Sequence, residues 1–569
     1  MLVLGVSDRA NAAAVLVSPD GALRGLQEER PLRRKNAGGP PIRSIGWLLA
    51  DNGLTPADID ELALVDRMPD PGALSLAQRF RRGDDWRDRF RDKAGEFAKA
   101  LFPAARSLAR QRLEPYLALG FAAGRIRTYD HHDCHAATAY HGWGRYDRPI
   151  LVVTCDGDGD GLCATVSVGR DGRLERIAAI DASQSLGHLF SLVTFLTGMT
   201  PNEHEYKLMG MAPYAQPGAA ARIRDRLLGL FDWDGSGRPL WRRRPGVPPV
   251  PAMRRTVERL FAEERFDAVM GGTQLFMEAM LCEWIRRAIR LTGIREVAAA
   301  GGVFMNVKAN KAVMEMEEVA DLFVFPSCGD ETGALGALYL ARAAGAGVAG
   351  VPPLSTFYLG PDWDDDGIEE ILAPLVAESR ITVERPQDLN RAIVDCLLQG
   401  EVVGRFAGRE EFGARSLGNR ALLADPRDPA VIPVINAMIK NRDFWMPFAC
   451  SVQEEHAKRY LINPKSLPAP YMILSFDTTR DGQSDLRAGI HPYDHSCRPQ
   501  VVRRQDNPPF WALIEAFRRE TGVAGLLNTS LNLHGLPLAH RPADALEVMF
   551  HSGLRRLAIG PFLVRKVAP

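Results

Sequence analysis

Two stretches of the sequence repeat one plan of short strands and turns. Residues 2–27 divide into LVLGV, SDRANA, AAVLV, SPDG and ALRGLQ, a series typical of strand, polar loop, strand, turn and strand. Residues 150–180 divide in the same way into ILVVT, CDGDGDG, LCATVSV, GRDG and RLERIAAI. In each copy an Asp-Gly pair lies between the second and third strands, where a hairpin turn favours it. Because helical segments follow both copies, the sequence predicts an α/β fold with an internal duplication.

Length, charge and cysteine content limit the classes of protein to consider. A chain of 569 residues is too long for one core, so we expect about two to four domains. The 70 acidic and 70 basic residues balance, which argues against nucleic acid as a partner. No apolar run reaches membrane-spanning length and no signal peptide is evident, so we expect a cytoplasmic protein with no membrane partner. The eight cysteines form no CxxC pair, which argues against a disulfide framework.

The stretch from residue 129 to residue 161 carries the strongest indication of a metal site. His131 and His135 are four residues apart in a segment that can be helical, so both imidazoles can point at one atom. For the histidine pair alone, a polar core contact or a solvated helix face is the alternative. The following strand ends in an acidic, glycine-rich run that begins at Asp156, which suits a metal and a phosphate. Asp330, which follows another buried strand, is the natural additional ligand.

Other segments of the first half predict its remaining elements. Helical periodicity indicates helices at 44–53, 55–62, 185–199 and 274–290, and an amphipathic run of mixed charge at 75–118. A short strand at 296–300 leads into Gly301-Gly302, with Asn306 soon after, a junction where backbone amides often bind a nucleotide. Lys207 lies in mostly apolar surroundings, where an unpaired charge would be costly.

The second half begins after Pro352-Pro353 and carries a different kind of site. A helix at 388–399 and a strand at 401–408 lead into GREEFGARSLGNRALLADPRD. This run is rich in Gly and Arg, and the guanidinium fork suits paired oxygens, so it predicts an oxyanion or phosphate loop. A solvated loop is the alternative. Further polar residues point to the same role, namely Lys440, Arg442, His491, Arg498, Asn528 and Ser530.

Taken together, these motifs resemble the O-carbamoyltransferases of nodulation and antibiotic biosynthesis. The resemblance extends over nearly the whole chain and keeps one order of motifs. These are EERPLRRK, HHDCHAATAY, DGDGD, SLGHLFSLVTF, EYKLMGMAPY, AGGVFMN, PSCGDETGALGA, GREEFGARSLGNR, NAMIKNRDFWMPFA, LLNTSLNLHGLPL and PADAL. A chance match to all of them in this order is implausible.

The resemblance implies a two-domain enzyme. Residues 1–355 would form a duplicated actin-like (ASKHA) domain similar to that of tRNA threonylcarbamoyl transferases, and residues 356–569 a YrdC-like twisted-sheet domain of α+β type. ATP, with Mg, and carbamoyl phosphate would form carbamoyl-adenylate in the second domain. The carbamoyl group would then pass to a hydroxyl of a small-molecule acceptor at the metal of the first domain.

The resemblance also implies roles for individual residues. The metal, Fe(II) by analogy with the family and otherwise Mn or Zn, would be held by His131, His135, Asp156 and Asp330. Lys440 and Arg498 would act in catalysis of the first step. Substrate and nucleotide contacts would come from Arg415, Arg442, Asn528, Ser530, Gly301, Gly302, Asn306 and Lys207.

Two departures from the family pattern bear on activity. The family's first-strand loop carries His-Asp, with the histidine as the natural base, and the matching residues here are Ala10-Asn11. An arginine that follows the family's Lys-x-Arg element is Met446 here. Asp8 is the candidate substitute base. Otherwise the acceptor is an amine, the acyl donor differs, or the protein is a catalytically impaired adenylate-binding relative. A kinase of the actin-like fold is a weaker alternative, and a homodimer is left open.

Overall fold

The computed structural model describes residues 1–67, 76, 80, 103–440 and 443–567. It forms two compact units, the first made of Met1–Leu23 and Gly38–Leu354 and the second of Arg24–Ala37 and Ser355–Pro569. The α/β class predicted from the sequence is confirmed, because helices alternate with mixed sheets along the chain. Most of the amphipathic run expected at 75–118 lies outside the described residues up to residue 102.

The strands define three main sheets. Among the described residues, two five-stranded sheets have the orders β3-β2-β1-β4-β5 and β8-β7-β6-β11-β12, and their strands belong to the first unit except for residues 24–27 of β3. The second unit contains an eight-stranded sheet, β13-β22-β21-β14-β15-β20-β16-β19. The strands, numbered along the chain, are β1 (Val3–Ser7), β2 (Ala13–Val17), β3 (Leu23–Gln27), β4 (Glu61–Val65), β5 (Ile126–Tyr129), β6 (Ile150–Gly159), β7 (Leu162–Arg170), β8 (Arg173–Asp181), β9 (Phe231–Trp233), β10 (Trp241–Arg243), β11 (Glu296–Ala300), β12 (Asp321–Val324), β13 (Ile381–Glu384), β14 (Val403–Phe406), β15 (Arg420–Ala424), β16 (Ala449–Gln453), β17 (Leu461–Ile462), β18 (Asp477–Thr478), β19 (Gln500–Val502), β20 (Gly525–Ser530), β21 (Arg556–Ile559) and β22 (Phe562–Lys566).

The two five-stranded sheets share one topology. In each, the first strand pairs antiparallel with the second and parallel with the fourth, and the fourth pairs parallel with the fifth. The repeated strand plan of the sequence is therefore visible as two sheets with the same order. One local expectation was wrong. The acidic glycine run after residue 155 was expected to be a loop, but β6 continues to Gly159 with an irregular register.

Helices cover the sheets. They are α1 (Glu29–Leu32), α2 (Ile42–Asp51), α3 (Pro103–Ala118), α4 (His131–Trp143), α5 (Leu186–Leu196), α6 (Glu205–Met211), α7 (Pro217–Leu228), α8 (Arg254–Leu260), α9 (Phe266–Thr292), α10 (Val307–Glu315), α11 (Gly333–Ala346), α12 (Asp365–Ala377), α13 (Leu389–Leu398), α14 (Val431–Ile435), α15 (Ala457–Tyr460), α16 (Arg480–Asp485), α17 (Pro508–Thr521) and α18 (Pro542–Phe550), with a π-turn at Asn436–Lys440. Among the described residues, no helix combines the length and apolar character needed to cross a membrane.

The helix expected at 55–62 is wrong. Only a single 3₁₀ turn forms there, Pro56–Asp58, and the chain then enters strand β4. All five residues of β4 are buried, because the strand lies between β1 and β5 in a parallel arrangement. A strand buried on both faces has no alternation of polar and apolar residues, so its sequence resembles that of a helix.

The cores of the two units are separate clusters of apolar side chains. In the first unit, residues of β1, β2 and β4 pack with α2 and with Tyr116 of α3. Helix α11 contacts both β1 and α4, so it links the first sheet to the histidine-bearing helix. In the second unit, the large sheet packs its apolar face against α12, α14 and α18. This packing places strand ends and helix starts of each unit close together, and the polar residues lie there.

Candidate metal centre and anion-binding loop

Helix α4 presents two histidines to one point. Asp130 caps its N-terminus by accepting a hydrogen bond from the amide of Asp133. His131 and His135 lie on one face of the helix, with ring centroids 4.7 Å apart. Both side chains are buried, and both Nε2 atoms point toward Asp156 at the irregular end of β6.

The two carboxylate oxygens of Asp156 have different surroundings. Oδ1 accepts hydrogen bonds from the backbone amides of Gly157, at 2.7 Å, and Gly302, at 3.2 Å. Oδ2 lies 3.0 Å from Nε2 of His131 and 3.1 Å from Nε2 of His135. The backbone amides therefore hold the carboxylate in place, and Oδ2 is the atom that faces both imidazoles. Gly302, expected to contact a nucleotide, uses its amide here.

Asp330, just before α11, completes the group. Its Oδ1 lies 3.8 Å from Nε2 of His131 and 3.9 Å from Nε2 of His135. One ligand atom from each of the four residues lies within 4.8 Å of the others. Two imidazole nitrogens and two carboxylate oxygens form a donor set that fits Fe(II), Mn or Zn. The structure thus brings together the four residues that the sequence predicted as metal ligands.

Protons compete with a cation for the cluster, because histidine and carboxylate ligands must lose their protons before they bind a metal. Burial and the charge of Asp156 raise the pKa of Asp330 to about 7. Burial also opposes ionisation of Asp156, but its hydrogen bonds to the two histidines outweigh burial and hold its pKa well below the usual value. Burial would lower the pKa of His131, yet Asp156 and Asp66 raise it well above its ordinary value. A divalent cation would neutralise two carboxylates that otherwise repel each other.

Asp66, directly after β4, orients His131 through the ring nitrogen that faces away from Asp156. Its Oδ1 lies 2.9 Å from Nδ1 of His131, and its Oδ2 lies 2.5 Å from Nε of Arg9. Arg112 of α3 donates to the backbone oxygen of Asp66 at 2.8 Å. Metal-binding histidines commonly carry such a carboxylate on the second ring nitrogen, which fixes the ring. Sequence reasoning missed Asp66, because the helix expected at 55–62 concealed the strand end that carries it.

The loop after β1 holds the residues that depart from the family pattern. Ala10 is exposed and supplies no titratable group, and Asn11 donates from Nδ2 to Oε2 of Glu331 at 2.7 Å. Asp8 forms a two-point ion pair with Arg112, whose Nε and Nη2 lie 2.8 Å and 2.7 Å from the two carboxylate oxygens. The structure therefore places Asp8 in a strong ionic contact, and its role as a base stays a prediction.

The residues expected to contact a nucleotide in the first unit have local contacts of their own. Gly301 adopts a φ of 98°, and a Cβ there would lie 2.4 Å from the carbonyl oxygen of Cys155, so the position requires glycine. Asn306 and Gln274 exchange two side-chain amide hydrogen bonds, at 2.8 Å and 3.0 Å. Lys207 is half-buried on α6. Their proposed roles in binding a nucleotide stay predictions.

Lys440 and Ser530 lie together in the second unit. Nζ of Lys440 is 3.1 Å from Oγ of Ser530 and 2.6 Å from Oδ1 of Asn532, and it also donates to the backbone oxygens of both residues. Sequence reasoning missed Asn532, although it lies only two positions after Ser530. Arg442 lies outside the described residues. Met446 is buried, in keeping with an apolar side chain at that position.

Asn528, on the same strand, contacts the arginine loop. Its Nδ2 donates to Oγ of Ser451 at 2.9 Å and to the backbone oxygen of Ser416 at 3.3 Å. Arg415, next to Ser416 in the loop, is half-buried, as is Arg498 just before β19. The structure thus brings Asn528 to the loop of Arg415 and brings Lys440 to Ser530. Asn528 and Ser530 lie near the end of one strand, β20.

Comparison with protein families covers almost the whole chain. Residues 3–339 match the model of the carbamoyltransferase N-terminus, and residues 394–566 match that of the carbamoyltransferase C-terminus. The nodulation protein NolNO of Sinorhizobium fredii is 30% identical over 98% of this chain and 79% of its own length. The 3′-hydroxymethylcephem-O-carbamoyltransferase of Amycolatopsis lactamdurans is 31% identical over 46% of this chain and 47% of its own length.

Solved structures show weaker likeness. Full-length HypF, in its phosphate- and nucleotide-bound form, matches 61% of this chain and 56% of its own, with 12% identity and a TM-score of 0.32. That similarity is too low to support a conclusion about fold or function. The two family models, together with the relative of 30% identity, do support one. The chain belongs to the carbamoyltransferase family and is a carbamoyltransferase.

Proposed function

We propose that the protein transfers a carbamoyl group in two ATP-dependent steps. In the first step, carbamoyl phosphate reacts with water to give carbamate and phosphate. An oxygen of carbamate then attacks the α-phosphorus of ATP, so that carbamoyl-adenylate forms and pyrophosphate leaves. In the second step, a hydroxyl of a small specialised metabolite attacks the carbamoyl carbon and AMP leaves. The observation that carries the proposal is the presence of two distinct polar sites, one in each unit.

The first step is assigned to the second unit. Lys440 and Arg498 would bind the anionic donor during catalysis, with Arg415 beside them. Asn528 and Ser530 would contact ATP, which brings Mg with it. Support comes from the position of Lys440 beside Ser530 and of Asn528 against the loop of Arg415. Arginine and lysine stabilise the charge that develops on phosphate oxygens in such reactions.

The second step is assigned to the first unit. His131, His135, Asp156 and Asp330 would hold a divalent ion, with Fe(II) proposed and Mn or Zn as alternatives. When bound, such an ion supplies Lewis-acid polarisation of phosphate oxygens. Asp66 keeps the ring of His131 aimed at the site. The remaining protein groups would bind and orient the adenylate, among them Gly301, Gly302, Asn306 and Lys207.

The two units are proposed to be an actin-like domain and a YrdC-like domain. The shared strand order of the two five-stranded sheets supports the actin-like assignment, because that fold is built from two similar halves. The large mixed sheet of the second unit is compatible with the YrdC-like assignment. As for the acceptor, a hydroxyl is favoured because the name of the cephem relative describes transfer to oxygen.

A second candidate uses an amine acceptor or another acyl donor. It is favoured by the loop after β1, where Ala10 offers no base and Asp8 is held by Arg112. A neutral amine is a stronger nucleophile than a neutral hydroxyl, so an amine acceptor needs less help from a positioned base. If the missing base abolishes transfer altogether, the protein would bind the adenylate without turning it over.

The experiment is release of pyrophosphate from ATP by the purified protein. Carbamoyl phosphate is added or withheld, and the protein is assayed with Fe(II) or after chelation. We expect release that depends on carbamoyl phosphate. Release without carbamoyl phosphate, or none with it, would contradict the first step. The second candidate is tested in the same assay, with acetyl phosphate in place of carbamoyl phosphate as the donor and with an amine as the acceptor.

A further inference from the structure

The segment Arg24–Ala37 belongs to the second unit although it lies near the N-terminus of the chain. It contains the run EERPLRRK, which the proposed chemistry does not use. Arg33 anchors the segment to the C-terminal part of the unit, with Nη2 3.3 Å from Glu547 and Nε 3.5 Å from Asp544. Its guanidinium also donates to the backbone oxygen of Leu538 at 3.0 Å.

Two other side chains of the segment bind the backbone of Gly413 in the arginine loop. Oε1 of Gln27 accepts from the amide of Gly413 at 2.8 Å and from Nη2 of Arg30 at 3.0 Å. The same Nη2 donates to the carbonyl oxygen of Gly413 at 2.6 Å. Gln27 is 2% exposed and Arg30 is 1% exposed, so no water competes for these bonds. Gly413 has a φ of 92°, which few other residues adopt.

The other end of the loop is held as firmly. Oε1 of Glu411 accepts from the backbone amides of Leu417, Asn419 and Arg420, at 2.8 Å, 2.8 Å and 3.1 Å. Ser416 contacts Asn528, the strand residue assigned to ATP, at 3.3 Å. The loop is therefore fixed on both sides of the dipeptide 414–415. Of these two residues, Ala414 is exposed and Arg415 is half-buried.

We propose that Gln27 and Arg30 are positioning residues for Arg415 in the first step. This inference rests on the proposed function of the second unit. The ring of three hydrogen bonds fixes the N-terminal side of the loop, as Glu411 fixes the C-terminal side. A loop held in its binding conformation loses little freedom when it meets an anion, which improves affinity. The N-terminal segment then contributes to chemistry at residues almost four hundred positions later in the chain.

The test uses the full-length Gln27→Met variant. Methionine keeps the size and burial of the side chain but removes the acceptor for Gly413. Arg30 is less suitable, because its removal would leave the buried carboxylates of Glu29 and Glu410 without their partner. Arg33→Met is the matched control, since it weakens docking of the same segment without touching Gly413.

Two readouts are compared among wild type, Gln27→Met and Arg33→Met. The first is the KM for carbamoyl phosphate in pyrophosphate release, which we expect to rise roughly tenfold or more in Gln27→Met and to stay within about twofold in Arg33→Met. The second is hydrogen–deuterium exchange of residues 408–420, which does not depend on activity. We expect faster exchange in Gln27→Met alone.

The outcomes separate this inference from the function on which it rests. The inference is overturned if Gln27→Met has the same loop exchange and the same KM as wild type. It is also overturned if Arg33→Met changes both quantities as much as Gln27→Met does, because docking of the segment alone would then explain the changes. If wild type releases no pyrophosphate, the proposed function fails. In that case hydrogen–deuterium exchange of the loop tests the positioning role of Gln27 and Arg30 by itself. Faster exchange in Gln27→Met alone supports that role, and any other result overturns it.

Discussion

At the scale of single residues, the carboxylate of Asp156 serves both the fold and the site. Two backbone amides hold Oδ1, while Oδ2 faces the Nε2 atoms of two histidines. A ligand fixed in this way needs little rearrangement to bind a cation, and Asp66 fixes the ring of His131 in the same sense. The cluster is therefore preorganised by the protein, and a metal is expected to bind with one ion per chain.

His135→Gln tests the metal centre directly. The substitution removes one nitrogen ligand, so we expect metal affinity to fall by more than the roughly 10- to 100-fold that loss of an outer partner costs. Bound Fe, Mn and Zn are measured by elemental analysis after equilibration with each metal. His132→Gln is the matched control, because His132 lies on the same helix, is equally buried and has its ring nitrogen on Thr154 and not on a carboxylate of the cluster. Equal metal loss in both variants would contradict the assignment.

The sequence predicted the four clustered residues but missed Asp66, which contacts one of them, and Asn532, which lies beside Lys440 in the second unit. His131 and His135 share a helix face by spacing alone, and Asp156 and Asp330 follow strands whose apolar runs are easily recognised. Asp66 follows a strand that resembles a helix in sequence, and this concealed it. Asn532 could not be distinguished from other polar loop residues, because only the fold brings it to Lys440.

At the scale of elements, helix α4 joins the metal cluster to the interior of the first unit. Its C-terminal half is buried with Tyr140 and His141, and Nδ1 of His141 lies 3.0 Å from the hydroxyl of Tyr146. The rings of His141 and Tyr339, the latter on α11, are 5.9 Å apart. The element that orients the two histidines is thus held by aromatic packing at its far end.

His141 makes the stability of this element dependent on pH. Burial lowers its pKa to about 4, whereas the unfolded side chain titrates near 6.5. The unfolded state therefore binds more protons than the folded state between these two pKa values. The free energy of unfolding is unaffected by His141 above about pH 6.5 and decreases as the pH falls toward about 4. This difference in pKa between the folded and unfolded states corresponds to a loss of stability on the order of 3 kcal/mol.

Urea unfolding of wild type and His141→Phe, followed between about pH 7 and about pH 4.5, measures this effect. We expect the midpoint of wild type to fall more steeply with acidification than that of the variant, because phenylalanine cannot take up the proton. Identical slopes would show that His141 does not contribute to the acid sensitivity of the fold.

Strand prediction succeeded where turn residues marked the boundaries. Asp-Gly pairs at residues 20–21 and 171–172 form the turns between β2 and β3 and between β7 and β8. The strands around them match the expected ones within one or two residues, apart from the extension of β6. The helix expected at 55–62 failed because Thr55-Pro56-Ala57-Asp58 carries a true helix-start signal that the structure uses for one turn only. Pairing with β1 and β5 then overrides local propensity.

At the scale of the whole molecule, the chain forms two units that are not contiguous in sequence. It begins in the first unit, contributes residues 24–37 to the second, returns until residue 354 and finishes in the second. The charged run EERPLRRK marks this segment, but a charged run does not show which unit it joins, so the sequence could not predict this excursion. The excursion is significant because Gln27 and Arg30 contact the arginine loop.

The division of labour between the units is the central claim, and one experiment tests it most directly. Pyrophosphate release and carbamoyl transfer to acceptor are measured side by side for wild type, His135→Gln in the first unit and Lys440→Met in the second. We predict that His135→Gln keeps carbamoyl-phosphate-dependent pyrophosphate release but loses transfer, whereas Lys440→Met loses both. Loss of pyrophosphate release in folded His135→Gln, or its retention in Lys440→Met, would contradict the account.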